Sequence, residues 1–171
     1  MNKLFTIGYE GSDVDRLVET LVNLNVEVLA DVRELPLSRK KGLSKRGLSE
    51  RLGEAGIEYI HFRELGDPKP GRDAAKSGNH FLFEKIFLAH LAKVPAQKGL
   101  DRLLKLASQH LTCMMCFERC ADQCHRSYIA DEASANGFEV FNLVADRPEK
   151  YLGNDFSIPR HNPRKSIAAA E

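Results

Sequence analysis

A chain of 171 residues is sized for one domain, long enough to bury a core without disulfide or metal staples. With 43% hydrophobic and 29% charged residues, it is neither a collagen-like nor a low-complexity chain, and wholesale disorder is excluded. Basic and acidic residues nearly cancel, 25 against 24, which excludes a uniformly basic nucleic-acid binder but not a local basic patch.

Hydrophobic periodicity alternates strand and helix along the chain. Lys3–Tyr9 reads as a first strand, closed by Gly8 and Gly11. Asp13–Asn25 carries Val14, Leu17, Val18, Leu21 and Leu24 at helical spacing, with Ser12 or Asp13 as the N-cap. Val26–Val32 is a second, buried strand, Leu48–Ala55 a short helix stopped by Gly56, and Ile57–Phe62 an alternating third strand. Pro68–Asn79, with two prolines and two glycines, reads as a loop. Helices are expected over Phe81–Ala92 and Gly99–Gln109, separated by Pro95. Leu111–Phe117 is a fourth strand, His125–Asn136 a helix ended by Gly137, and Phe138–Val144 a fifth strand.

That order predicts a single α/β domain over residues 1–146, a mainly parallel five-stranded sheet flanked by helices in a Rossmann-like, three-layer arrangement. Residues 147–171 turn polar and are expected as an extension, with Leu152–Glu171 an extension or frayed tail. No apolar run approaches the roughly 20 residues of a spanning helix, and the N-terminal run is too short for a signal segment. The expected compartment is the cytosol, where thiols stay reduced.

Ligands of parallel α/β sheets bind beyond the carboxyl ends of the strands. The chain concentrates polar groups there: Tyr9 and Glu10 after the first strand; Asp31, Arg33, Ser38 and Arg39 after the second; His61 and Glu64 after the third. Cys116, Glu118, Cys120, Cys124, His125 and Arg126 follow the fourth. Asp31 and His61 lie inside otherwise apolar runs, where a polar side chain needs a partner.

All four cysteines fall in Cys113–Cys124, spaced C-x2-C-x3-C-x3-C-H. Three readings stay open. Cys116, Cys120, Cys124 and His125 could ligate zinc or iron, although the spacing matches no standard knuckle. Cys120-x5-Arg126-Ser127 has the spacing of cysteine-phosphatase loops but lacks their glycines. Some cysteines, Cys113 above all, are buried hydrophobes. Charge forms a second concentration: residues 33–51 hold seven basic side chains against two acidic ones, a local +5 that leaves −4 for the rest.

TIGYEG at Thr6–Gly11, DVRELPLSR at Asp31–Arg39, GIEYIHFRELG at Gly56–Gly66 and CFERCADQCHRSYIA at Cys116–Ala130 together resemble the DUF488 family over roughly residues 3–145. The resemblance implies one α/β domain with Tyr9, Asp31, Arg33, Ser38, Arg39, His61, Glu118, Cys124, His125 and Arg126 at matching positions. Cys120 departs from the family pattern, which counts against readings that need it.

The expectation is an enzyme or enzyme-like domain that binds an anionic small molecule or a nucleic acid at the strand ends. Arg33, Arg39 and Arg126 would hold phosphate or carboxylate, with Tyr9 and Ser38 beside them. Asp31 or Glu118 would be the general base, His61 or His125 the proton carrier, and Cys124 the nucleophile. No cofactor is expected beyond a zinc or iron ion under the metal reading. The alternatives are a non-catalytic metal or redox module on Cys116–His125 and a nucleic-acid adaptor using residues 33–51.

Overall fold

In the computed structural model, which describes residues 2–153 and 157–164, five runs of β-branched and apolar residues become five parallel strands. They are β1 (Lys3–Gly8), β2 (Val28–Asp31), β3 (Glu58–His61), β4 (Thr112–Cys116) and β5 (Glu139–Asn142), in the order β3-β2-β4-β1-β5. The central strand β4 is buried along its whole length, as its TCMMC sequence requires of a strand covered on both faces. Six helices complete the domain: α1 (Val14–Asn23), α2 (Lys45–Glu54), α3 (Lys69–Lys76), α4 (His80–Leu91), α5 (Val94–Gln109) and α6 (Arg126–Ala135). Asp13 starts α1 by accepting the Arg16 amide at 2.9 Å. No helix among the described residues is long and apolar enough to cross a membrane.

The strand alternation sends side chains to two cores. Leu4, Ala30, Met114, Cys116 and Val140 face one core with Phe83 and Phe87 of α4, Leu100 and Leu103 of α5, and Ile129 of α6. Phe5, Ile7, Leu29, Cys113 and Met115 face the other, with Leu17 and Leu21 of α1 and Leu48 and Leu52 of α2. The chain steps towards β3 through α1 and α2 on one face, then back towards β5 through α3–α6 on the other, as right-handed crossovers demand. Consequently β4 is followed by a helix on one face, while its neighbours β1 and β2 are followed by helices on the other. The carboxyl end of β4 is a topological switch point, where α/β sheets open a crevice.

Two expectations need correction. Pro68–Asn79 is largely helix α3, because Pro70 sits in its first turn, where a missing N–H breaks no hydrogen bond. For the same reason Pro95 begins α5, which starts at Val94 rather than Gly99. Of the two readings of the tail, its described part takes the extension, docked on the domain. Pro148–Tyr151 forms a 3-10 turn against α1, and His161 donates its amide to the Val140 carbonyl at 2.8 Å. An antiparallel bridge joins Arg160 to Phe141 at the edge of β5. His161 and Arg164 then meet Asp131 of α6, each at 2.7 Å. Residues 154–156 and 165–171 of the expected tail lie outside the described residues.

Candidate functional site

The polar residues expected at the strand ends do share one edge, but the sheet divides them into two clusters. On the α1/α2 face Arg33 forks onto Asp31, Nε to Oδ1 at 2.9 Å and Nη2 to Oδ2 at 2.7 Å. Its Nη1 donates to the Tyr9 hydroxyl at 3.2 Å and to the Leu43 carbonyl at 2.9 Å. The Tyr59 hydroxyl donates to Asp31 Oδ2 at 2.5 Å. Burial works against the Arg33 cation, yet the Asp31 carboxylate and Tyr9 more than offset it, so the guanidinium is held more firmly than usual. Burial and Asp31 both push the Tyr59 phenol upward. Tyr59 was not singled out in the sequence, although the strand period places it on the same face as His61, two residues on. His61 lies at the β3 edge of this cluster, its Nε2 2.7 Å from the Arg33 carbonyl.

The second cluster is on the α3–α6 face, at the switch point. Cys116 ends β4 and Cys124 precedes α6; their sulfurs are in contact, while their Cα atoms stand 7.6 Å apart. The Cys124 sulfur is 3.7 Å from Nδ1 of His125, and the three donor atoms lie within 4.8 Å of one another. The other ring nitrogen, Nε2, lies 2.7 Å from the Val32 carbonyl. Arg126 Nη1 donates to the Cys116 sulfur at 3.1 Å, and that sulfur is 3.2 Å from Glu118 Oε2. Burial raises the Glu118 carboxyl and, opposed in part by Glu118, lowers Arg126 to about 10.

Arg126 is fully buried. It donates to Thr6 Oγ1 at 3.2 Å and to the carbonyls of Glu118 and Arg119 at 2.6 and 3.3 Å. These bonds pull the turn after β4 back over the end of β1. Only glycine fits beneath it: a Cβ on Gly8 would sit 1.7 Å from the Glu118 carbonyl oxygen. Thr6, like Tyr59, joins the site beyond the expected residues, and its sequence signal is a hydroxyl within an apolar strand.

Several expected roles meet a different setting. His125, a candidate proton carrier, is completely buried, which lowers it to about 4, so its ring is neutral at physiological pH. Cys120 is exposed and outside the donor group, which removes it from the four-residue metal set; the phosphatase-like spacing also fails, since Arg126 turns inward. Cys113 faces the α1/α2 core, and burial pushes its thiol well above the usual range. Ser38 closes a local turn with Ser44, and Arg39 is exposed. Asp67 was not anticipated: it is buried, and its Oδ1 has no hydrogen-bond partner among the described residues. Burial raises its pKa to about 7, Arg72 opposes this, and Glu118 and Glu34 add to it. Glu34 itself is ion-paired with Arg72.

The model of the family described as "Domain of unknown function DUF488" matches residues 13–133, well over half of the chain. The matched stretch includes Cys116, Glu118, Cys124, His125 and Arg126. No curated protein matches the chain, and no solved structure does. The chain belongs to the DUF488 family.

Proposed function

We propose that the protein is an enzyme whose reacting centre is Cys116, Cys124 and His125 at the carboxyl end of β4. One observation carries the reading. Two sulfurs and an imidazole nitrogen converge within 4.8 Å at the topological switch point of the sheet. Glu118 adds a half-buried carboxylate 3.2 Å from the Cys116 sulfur, placed to pass a proton between the centre and solvent. In this reading Arg126 is a positioning residue, holding the turn that carries Glu118. The Asp31–Arg33–Tyr59 network does the same for the chain leaving β2.

Turnover of a panel of esters, amides and phosphoesters tests the proposal. Activity should fall by about 100-fold or more in Cys124→Ser and Glu118→Gln, with unchanged circular dichroism spectra. An activity that survives both substitutions contradicts it.

A second reading retains the polyanion partner. Arg46, Arg51 and Arg33 are ion-paired, whereas Arg39, Lys41 and Lys45 are exposed with no ion pair among the described residues. A docked oligonucleotide should then bind with a Kd that weakens steeply with salt and is further weakened in Arg39→Ala/Lys41→Ala. Salt-independent binding argues against this role.

A further inference from the structure

We infer that Cys116, Cys124 and His125 hold a zinc ion, with a fourth position left for water or substrate; this rests on the reading of the same three residues as the reacting centre. The backbone supplies the first argument. Disulfides usually span about 4.4–6.8 Å between Cα atoms, and a pair beyond about 7 Å cannot be bridged without backbone movement. Cys116 and Cys124 bring their sulfurs into contact from backbones whose Cα atoms stand 7.6 Å apart, a span wider than a disulfide usually bridges and wide enough for an ion between the two sulfurs. Two thiolates about 2.3 Å from a common ion suit that span once the side chains turn the sulfurs apart to ligand spacing.

The histidine supplies the second. Ligands of a tetrahedral zinc site stand about 3.5–3.8 Å apart, given Zn–S near 2.3 Å and Zn–N near 2.0 Å. Nδ1 of His125 is 3.7 Å from the Cys124 sulfur. Its Nε2 is 2.7 Å from the Val32 carbonyl, a partner that can only accept, so Nε2 carries the proton and Nδ1 presents its lone pair to the sulfurs. A backbone carbonyl behind the second ring nitrogen is the arrangement that orients metal-bound histidines.

Charge is the third. Two thiolates balance a divalent cation, and the buried Arg126 beside them donates to the Cys116 sulfur at 3.1 Å, a bond that favours its thiolate. Two sulfurs and one imidazole favour zinc over the hard cations. Three protein ligands with one position open are the pattern of a catalytic zinc rather than a structural one.

The full chain, expressed with zinc and purified under reducing conditions without chelator, should carry about one zinc per chain by plasma mass spectrometry. Replacing zinc by cobalt(II) should give the intense visible bands of a tetrahedral site and a sulfur-to-cobalt charge-transfer band. Cys120→Ser should keep the metal, whereas Cys124→Ser should lose at least about tenfold in zinc affinity. The cobalt spectrum reads the ligand set in the wild type, so the test stands even if Cys124→Ser fails to fold. Less than about a tenth of an equivalent of zinc with no charge-transfer band overturns the inference. So does recovery of Cys116–Cys124 as an intact disulfide. Turnover that needs Cys124 in metal-free protein keeps the enzyme and removes the zinc. Stoichiometric zinc in a protein whose turnover ignores Cys124 and Glu118 keeps the zinc and removes the enzyme.

Discussion

Arg126 is the most heavily committed side chain of the site, buried and bonded to Thr6, Cys116 and the carbonyls of Glu118 and Arg119. Arg126→Ala would strand these acceptors and the half-buried Glu118, costing about 3–5 kcal/mol in urea denaturation. Arg126→Lys should not restore it, since an ammonium cannot reach acceptors spread along a planar fork. Asp67 gives the opposite kind of prediction. Unfolded, it loses its proton near 3.8; folded, it keeps it to about 7. The stability this contributes is full below about pH 4 and is lost as pH rises through about 7. Asp67→Asn should therefore raise Tm at about pH 8 and leave it unchanged at about pH 4, read by scanning calorimetry. Single residues were legible in the sequence where a polar group broke an apolar run, as with Asp31. They were illegible where the decisive partner is a main-chain carbonyl: nothing in the sequence tells that Val32 stands behind His125 or that Glu118 and Arg119 bind Arg126.

The strands and the helices around them were readable from periodicity because one face of each element is buried and the period is imposed by that burial. The two helix starts that were misread share a cause. Pro70 and Pro95 read as breakers in the sequence, but at the first turn a proline is compatible with the helix that follows. The tail stays open in the sequence between an extension and a frayed end for a different reason: its residues have no period of their own, and their order comes from partners far away in sequence. Residues 158–161 run beside β5, and His161 and Arg164 clamp Asp131 on α6. They cover an edge strand that would otherwise offer free backbone groups. Ending the chain at Gly153 should lower stability by on the order of 2 kcal/mol and increase self-association, checked by thermal melts and sedimentation. A truncated chain that melts like the full one would show that the tail merely lies on the surface.

Across the whole molecule, the near-neutral charge and the cysteine cluster resolve into positions. Within residues 33–51, ion-paired arginines stand beside the exposed Arg39, Lys41 and Lys45, while the cysteines divide between two cores and one exposed turn. The sequence placed the polar residues correctly on one edge of the sheet. It could not show that the sheet separates them, because which face a strand-end side chain takes depends on register and crossover. The topology then singles out the end of β4, and the three soft donors stand there. X-ray absorption at the zinc edge of the purified full-length protein tests that claim most directly. Two sulfur scatterers at about 2.3 Å and nitrogen or oxygen scatterers at about 2.0–2.1 Å are expected. A protein without zinc, or one whose zinc sees only nitrogen and oxygen, would contradict it.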